Sequence, residues 1–352
     1  MTSLLIYGAT GYTGSLVAEH AAAIARQSTS PPTLAGRNEG KVKALAMRLR
    51  MPWSAFDLTD TEDLIHRLED VTTVLNLAGP FSETADPLVE ACLASGTHYV
   101  DITGEIAVFE RIAARDADAR KAGVVLLPGA GFDVVPSDCL AAHLKRRQPQ
   151  MHRLRISVEG LTQASRGTAR TAVEALGKGT MARRGGKIVE LERALHSKAD
   201  FGDGPVDTIS VSWGDVATAW YSTKAPAIDV LFEASPPLRI VSRIPNNLRP
   251  VLGSPSVQHL LKRLVDRMRP GPSEERRLGG RCRILGEAWN TAGARVASLM
   301  ETPDPYALTV QSALDLGQRV AAGEVSAGYH TPSTAFGPDL VLAFDGVRRS
   351  DI

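Results

Sequence analysis

The chain has 352 residues, more than twice a typical domain of about 150, which favours two domains over one enlarged core. Forty Lys and Arg against 39 Asp and Glu leave a net charge of +1, without the footprint that grips a phosphate backbone, so nucleic acid is excluded as a first reading. Cys92, Cys139 and Cys282 form neither a disulfide framework nor a metal-ligand spacing, no apolar run approaches the roughly 20 residues of a membrane span, and Met1 leads into Leu4–Tyr7 without a leader. A cytoplasmic protein without metal or membrane span is expected.

The first 150 residues alternate short apolar or β-branched runs with longer helical patterns, as a parallel sheet with crossover helices does. Strands are predicted near 3–7, 33–36, 53–57, 71–77, 98–102 and 123–127. Helices are predicted near 13–26, 39–50, 60–69, 85–95 and 105–122, with another opening at Pro136. Gly96 suits the position after a helix end, and Thr59-Asp60 can cap the helix that follows. The pattern is that of an α/β, doubly wound domain over 1–150.

Beyond His152 the runs Arg153–Glu159 and Thr208–Trp213 alternate apolar and polar residues, as half-buried antiparallel strands do. Further strands are expected near 186–191, 227–233, 280–289 and 294–300, and helices near 166–177, 256–268 and 306–321. Residues 151–325 therefore read as a second, mixed α+β domain, with 234–255, five of whose residues are proline, as an excursion within it.

Gly8-Ala9-Thr10-Gly11-Tyr12-Thr13-Gly14 follows the first strand and opens a helix. Gly8 permits the tight turn, Gly11 lets the backbone approach a pyrophosphate, and Gly14 allows helix and strand to pack closely, while the helix N-terminus attracts the anion. This is the mechanics of a Rossmann dinucleotide site, with Thr10, Tyr12 and Thr13 completing the loop. The second strand ends in Gly36-Arg37-Asn38, with Lys41 a turn later and no carboxylate before Glu39. An acid there would hold a free ribose 2′-hydroxyl, whereas Arg37 suits a 2′-phosphate, so NADP(H) is expected over NAD(H). Asp57 and Leu58 fall where such folds meet the adenine, and Asn76, Ala78, Gly79 and Pro80 where the chain passes the nicotinamide ribose.

These motifs, together with Gly79-Pro80-Phe81, the run Gly96 to Glu105 and Gly131-Phe132-Asp133-Val134-Val135-Pro136-Ser137-Asp138, resemble the saccharopine dehydrogenase-like oxidoreductases, most nearly the branch of bacterial trans-acting enoyl reductases. The likeness is dense over 1–140 and thin beyond. It implies a Rossmann domain, an inserted α/β domain that shapes the substrate cleft and the homodimer contacts, and a C-terminal segment, 326–352, returning to the first domain. It also implies reduction of an unsaturated acyl group or an imine.

No tyrosine has a lysine four positions later, since Tyr99 meets Thr103 and Tyr221 has Lys224 only three away, so the acid pair that protonates an alkoxide is missing. The best cluster is Tyr99, Asp101, Thr103 and Glu105 at a strand's carboxyl end, with Asp101 and Glu105 able to orient or protonate an acceptor. The alternative is that Asp101 or Thr103 caps the helix beginning near Glu105. Asp133 carries the same ambiguity, acid or turn residue, and Phe132 is expected near the nicotinamide. Residues 262–283 hold eight Lys and Arg against three acids, either a solvated face or a dock for an acidic carrier of an acyl substrate. The expected activity is NADPH-dependent C=C reduction of an enoyl or polyketide-like substrate. Imine reduction of the saccharopine type and non-catalytic NADP(H) sensing are the alternatives.

Overall fold

The computed structural model describes residues 3–25, 31–161 and 165–352. Packing divides the chain into two units, Met1–Val135 with Tyr306–Phe336, and Pro136–Pro305 with Gly337–Ile352.

The first unit is a parallel sheet with helices. Its strands are β1 (Leu4–Tyr7), β2 (Thr33–Gly36), β3 (Trp53–Ala55), β4 (Thr73–Asn76), β5 (His98–Asp101) and β6 (Val125–Leu127). Between them run α1 (Tyr12–Ala25), α2 (Glu39–Leu49), α3 (Thr61–Leu68), α4 (Phe81–Ser95), α5 (Ile106–Ala113) and α6 (Asp116–Ala122). The spatial order is β3-β2-β1-β4-β5-β6, extended past β6 by the short strand Gly328–Tyr329. Strand order reverses between β1 and β4, and such a reversal opens a ligand crevice at the strands' carboxyl ends. Every residue of β1 and β4 is buried, as strands covered on both faces require.

Two helices differ from expectation for visible reasons. α4 begins at Phe81 rather than near 85, because the Glu105 carboxylate accepts the Phe81 and Ser82 N–H groups at 2.9 and 3.1 Å. The expected helix 105–122 is two helices, interrupted where Arg115 adopts φ −91, ψ 9 and pairs with Glu90 and Asp118. The helix predicted over 13–26 ends at Ala25, and residue 26 lies outside the described residues. Asp60 caps α3 as expected, accepting from the Asp63 N–H.

The second unit is built on a mixed sheet of nine strands among the described residues. These include β7 (Arg153–Glu159), β8 (Met181–Arg184), β9 (Lys187–Glu190), β10 (His196–Asp200), β11 (Pro205–Ser210), β12 (Ala227–Glu233), β13 (Arg281–Trp289) and β14 (Arg295–Pro303). β7 pairs antiparallel with β13 but parallel with β12, so alternation alone misjudged its pairing. α7 (Val135–Arg147) packs on this sheet, where a Cβ on Gly286 would stand 2.6 Å from the Leu144 side chain. The last strand, Arg348–Asp351, pairs with β14.

These units cut across the expected segments 1–150, 151–325 and 326–352. α7 belongs with the second unit. The helix Pro305–Ala321 belongs with the first, where Gly317 lies against the Leu4 side chain and Thr309 and Ser312 bond to the loop after β6. Of the C-terminal segment, the part through Phe336 joins the first unit and the remainder the second.

Candidate active site

The glycine loop lies at the β1–β4 reversal, and its three glycines do different work. Gly8 has φ 83, and a Cβ there would fall 2.7 Å from the Ala78 N, so this glycine lets the loop touch the segment following β4. A Cβ on Gly14 would fall 2.1 Å from the Gly8 carbonyl oxygen, which keeps α1 hard against the turn. Gly11 is exposed, with 3.3 Å to the same oxygen, so at this position the backbone faces outward with no side chain. Gly8 and Ala9 N–H groups bond to the Ala35 carbonyl, tying the loop to β2. A cradle that a Cβ would fill, at the start of a 14-residue helix, fits a dinucleotide pyrophosphate. Thr10 is exposed and Thr13 half-buried beside it, while Tyr12 meets Tyr306 edge-on at 5.1 Å.

At the next strand end, buried Gly36 lies close to the Gly8 N, and Arg37 is exposed with no ion pair among the described residues. Asn38 caps α2 by accepting the Lys41 N–H at 3.0 Å, and the Lys41 side chain is exposed. Asp57 is exposed and accepts the Thr59 N–H at 3.0 Å; hydrogen bonds from Thr59 hold its carboxyl below the usual range, with a smaller contribution from Arg37. Half-buried Leu58 follows. Tyr7 stacks at 5.1 Å on Phe56 and donates to its carbonyl, and burial pushes the phenol up to about 12. The Tyr7–Phe56 pair escaped the sequence reading because both residues look like ordinary strand aromatics.

A buried polar chain links the ends of β4, β5 and β6. Asn76 takes the Ala78 N–H on its side-chain oxygen, and its amide donates to Thr84 and to the Tyr99 hydroxyl at 3.2 Å each. Tyr99 donates to Asp101 at 2.8 Å, and Asp101 accepts the N–H groups of Thr103 and Gly129, both at 2.9 Å. Tyr99 and Asp101 are wholly buried. Burial pushes the Asp101 carboxyl up to about 6 against the pull of those hydrogen bonds, and it raises the Tyr99 phenol well above its ordinary value.

Neither cap expected at the start of α5 is the one found. Asp101 bridges two loops, Thr103 accepts the Glu105 N–H, and the Glu105 side chain serves α4 instead. Asp133 is half-buried after β6, and burial pushes its carboxyl up to about 7. A Cβ on Gly104 would fall 2.8 Å from Asp133 Oδ2, so glycine there lets the loop after β5 close on that carboxyl. Phe132 is buried and its N–H donates to Thr309, and Gly79 and half-buried Pro80 lead into α4 through a cis peptide bond. Thr309 and Tyr306 were missed because Thr309 lies 177 residues along the chain from Phe132, and Tyr306 is farther still from Tyr12, and no local signal links them.

The model of the saccharopine dehydrogenase NADP binding domain matches residues 4–127, the stretch that carries the glycine cradle and the polar chain. Residues 4–127 are a saccharopine dehydrogenase NADP-binding domain. A trans-acting enoyl reductase of Mycobacterium leprae is 35% identical over 150 residues, which are 41% of this chain and 35% of that protein. A saccharopine dehydrogenase-like oxidoreductase of Bos taurus is 30% identical over 154 residues, 38% of this chain and 35% of that one. The matched region thus spans about a third of the length of these relatives. Saccharopine dehydrogenase (L-Glu forming) of Saccharomyces cerevisiae shares the fold with a TM-score of 0.67 over all of both chains at 12% identity. The NADP-binding domain therefore comprises β1 to β6 and their helices, and the second unit continues the shared architecture.

Proposed function

We propose that this chain is an NADPH-dependent reductase of a C=C bond in an enoyl or polyketide-like acyl substrate, free or carried on a carrier. NADPH bound at the cradle would supply hydride to the acceptor. The observation that carries the reading is the glycine cradle at the start of α1, with Asp133, a carboxyl on the loop after β6 that burial pushes up to about 7, as the group suited to exchange a proton near neutral pH. In this reading Asp133 protonates the carbon that hydride does not reach. Asp101 and Tyr99 act as positioning residues, because both are wholly buried and bond to one another, to the Asn76 amide and to the Thr103 and Gly129 N–H groups. Glu105 positions the start of α4. Arg37 takes the 2′-phosphate, Gly11 and the N-terminus of α1 receive the pyrophosphate, and Asn76 and Ala78 hold the segment beside the nicotinamide ribose. The trans-acting enoyl reductases among the relatives support C=C over C=N.

The test is product analysis with deuterated NADPH, alongside Asp133→Asn. Deuterium on a former alkene carbon and a chemical step slowed by about 10² to 10⁴ with NADPH affinity retained are the expected results. Deuterium on a carbon bonded to nitrogen transfers the reading to imine reduction, and an Asp133→Asn protein of full activity removes Asp133 from the chemistry.

A further inference from the structure

Residues 236–270, the excursion between β12 and β13, carry seven Lys and Arg against one acid, Asp266. Three of the seven are engaged: Arg239 pairs with Asp207, Lys262 with Glu174, and Arg249 donates to the Lys178 carbonyl. Asp266 is taken by Arg170. Arg243, Arg263, Arg267 and Arg269 make no ion pair among the described residues.

The same excursion exposes six large apolar side chains, Ile240 (68%), Leu248 (52%), Val251 (59%), Leu260 (59%), Leu264 (50%) and Met268 (45%). The helix Pro255–Asp266 shows how they are held. Its inner side buries Val265, donates from Gln258 to the Val173 and Leu252 carbonyls, and pairs Lys262 with Glu174 of the helix Arg166–Ala175. Its outer side presents Leu260 and Leu264 one turn apart, flanked by Arg263 and Arg267, also one turn apart. Water is a poor environment for such a surface, in which exposed aliphatic side chains stand beside unpaired guanidinium groups.

We propose that this face seats the protein peripherally on an anionic lipid bilayer. The charge complementarity is direct: Arg263 and Arg267 meet lipid phosphates, while Leu260 and Leu264 beside them enter the boundary between headgroups and acyl chains. Arginine stems can lie along apolar matter with their heads at the phosphate level, so both residue classes are satisfied at one depth. A bilayer also needs no preformed counter-surface. An acidic protein would have to supply a fixed apolar patch matched to three short helices as well as carboxylates. No helix among the described residues is long and apolar enough to cross a membrane, so the association is at the surface. The proposal is independent of the reaction proposed above.

The test is sedimentation of the whole chain with vesicles of phosphatidylcholine containing about a third phosphatidylglycerol, compared with phosphatidylcholine alone. Binding to the anionic vesicles only is expected. Arg263→Gln with Arg267→Gln weakens it by about 25-fold, about fivefold or 1 kcal/mol for each arginine. Leu260→Ser with Leu264→Ser weakens what binding remains at about 0.5 M salt, where charge is screened, by about tenfold or more. Met47→Ser, which removes an apolar side chain exposed on α2, leaves binding unchanged. All the substituted side chains point outward, and unaltered circular dichroism melting curves check that the variants fold. The proposal is overturned if the unaltered protein stays in solution with anionic vesicles, or if the leucine variant binds as well as the parent. It is equally overturned if the face retains an acidic carrier-type protein but no vesicles, which assigns it to a protein partner.

Discussion

Replacing Gly14 by alanine tests whether the cradle depends on the close approach of α1 to the turn. The new Cβ would lie 2.1 Å from the Gly8 carbonyl oxygen and 2.9 Å from its carbon, both backbone atoms that no rotamer change can move. Restoring an ordinary separation requires α1 to withdraw by about 1 Å, yet the same helix buries Val17, Ala18 and Ala21 in a close-packed interior. Overpacking of this kind costs about 1–3 kcal/mol, which lowers Tm by about 1–4 °C in a chain of this size. Withdrawal also pulls the helix N-terminus from the anion. NADPH at 100 times its Kd stabilises the parent by about 2.7 kcal/mol, and a tenfold loss of affinity cuts that to about 1.4. Thermal melting with and without NADPH reads both effects. Gly11→Ala, whose Cβ would stand 3.3 Å from the Gly8 carbonyl oxygen and so needs a far smaller adjustment, lowers Tm less than Gly14→Ala while it weakens NADPH. A Gly14→Ala protein with the parental Tm and the full NADPH stabilisation would refute the reasoning.

Arg37→Asp removes a charge-assisted phosphate contact of about 1.5–3 kcal/mol, so NADPH binds about 10- to 150-fold more weakly by titration while NADH affinity is unchanged or improved. Equal affinity of the parent for both cofactors sinks that assignment. Glu105→Ala strips the two N–H groups that open α4 of their acceptor and lowers stability to urea by about 1–2 kcal/mol, whereas Glu105→Gln, which keeps one acceptor oxygen, costs about half as much. Equal stability of both variants and the parent removes Glu105 as the cap. Asp101 has a folded pKa of about 6 against 3.8 in the unfolded chain, so its contribution favours the folded state at low pH and fades as pH rises through 6. That loss amounts to about 3 kcal/mol. Asp101→Asn should therefore lose less stability than the parent between pH 4 and 7, and parallel pH profiles would exclude the assignment.

The six strands of the NADP-binding domain were legible because each is a short apolar run bounded by a turn signal, and because the glycine spacing falls after the first of them. The cap at Asp60 was legible for the same reason, since it is chemistry within four residues. What escaped is non-local. α4 starts four residues early because of a carboxylate 24 positions away, and the helix Pro305–Ala321 joins the first unit through bonds from Thr309 and Ser312 to a loop about 180 residues earlier. The parallel pairing of β7 with β12 is likewise set by register across the sheet, and the alternation of either strand is silent about its neighbour's direction. The cluster at the β5 end was legible as a location, while its division of labour was not, because Asp101 and Glu105 differ in what reaches them rather than in residue type.

That division has a physical logic. A carboxylate taken fully out of water is stable only if donors surround it, and the donors of Asp101 come from three sources: the Tyr99 hydroxyl, the Thr103 N–H at the end of β5 and the Gly129 N–H after β6. Through Tyr99 and Asn76 the chain continues to the Ala78 N–H, so one run of hydrogen bonds fixes the loops after β4, β5 and β6 relative to one another. Gly8 in turn lies against Ala78, which ties the cradle to the same run. The energetic cost appears in the raised pKa of Asp101. Its structural return is that the carboxyl ends of adjacent parallel strands, where a cofactor and acceptor must be held within fractions of an ångström, are locked by buried dipoles and do not rest on loop packing alone. In the proposed reaction Asp101 therefore holds the loops in place, and the proton is assigned to Asp133, the half-buried acid on the neighbouring loop whose carboxyl burial pushes up to about 7.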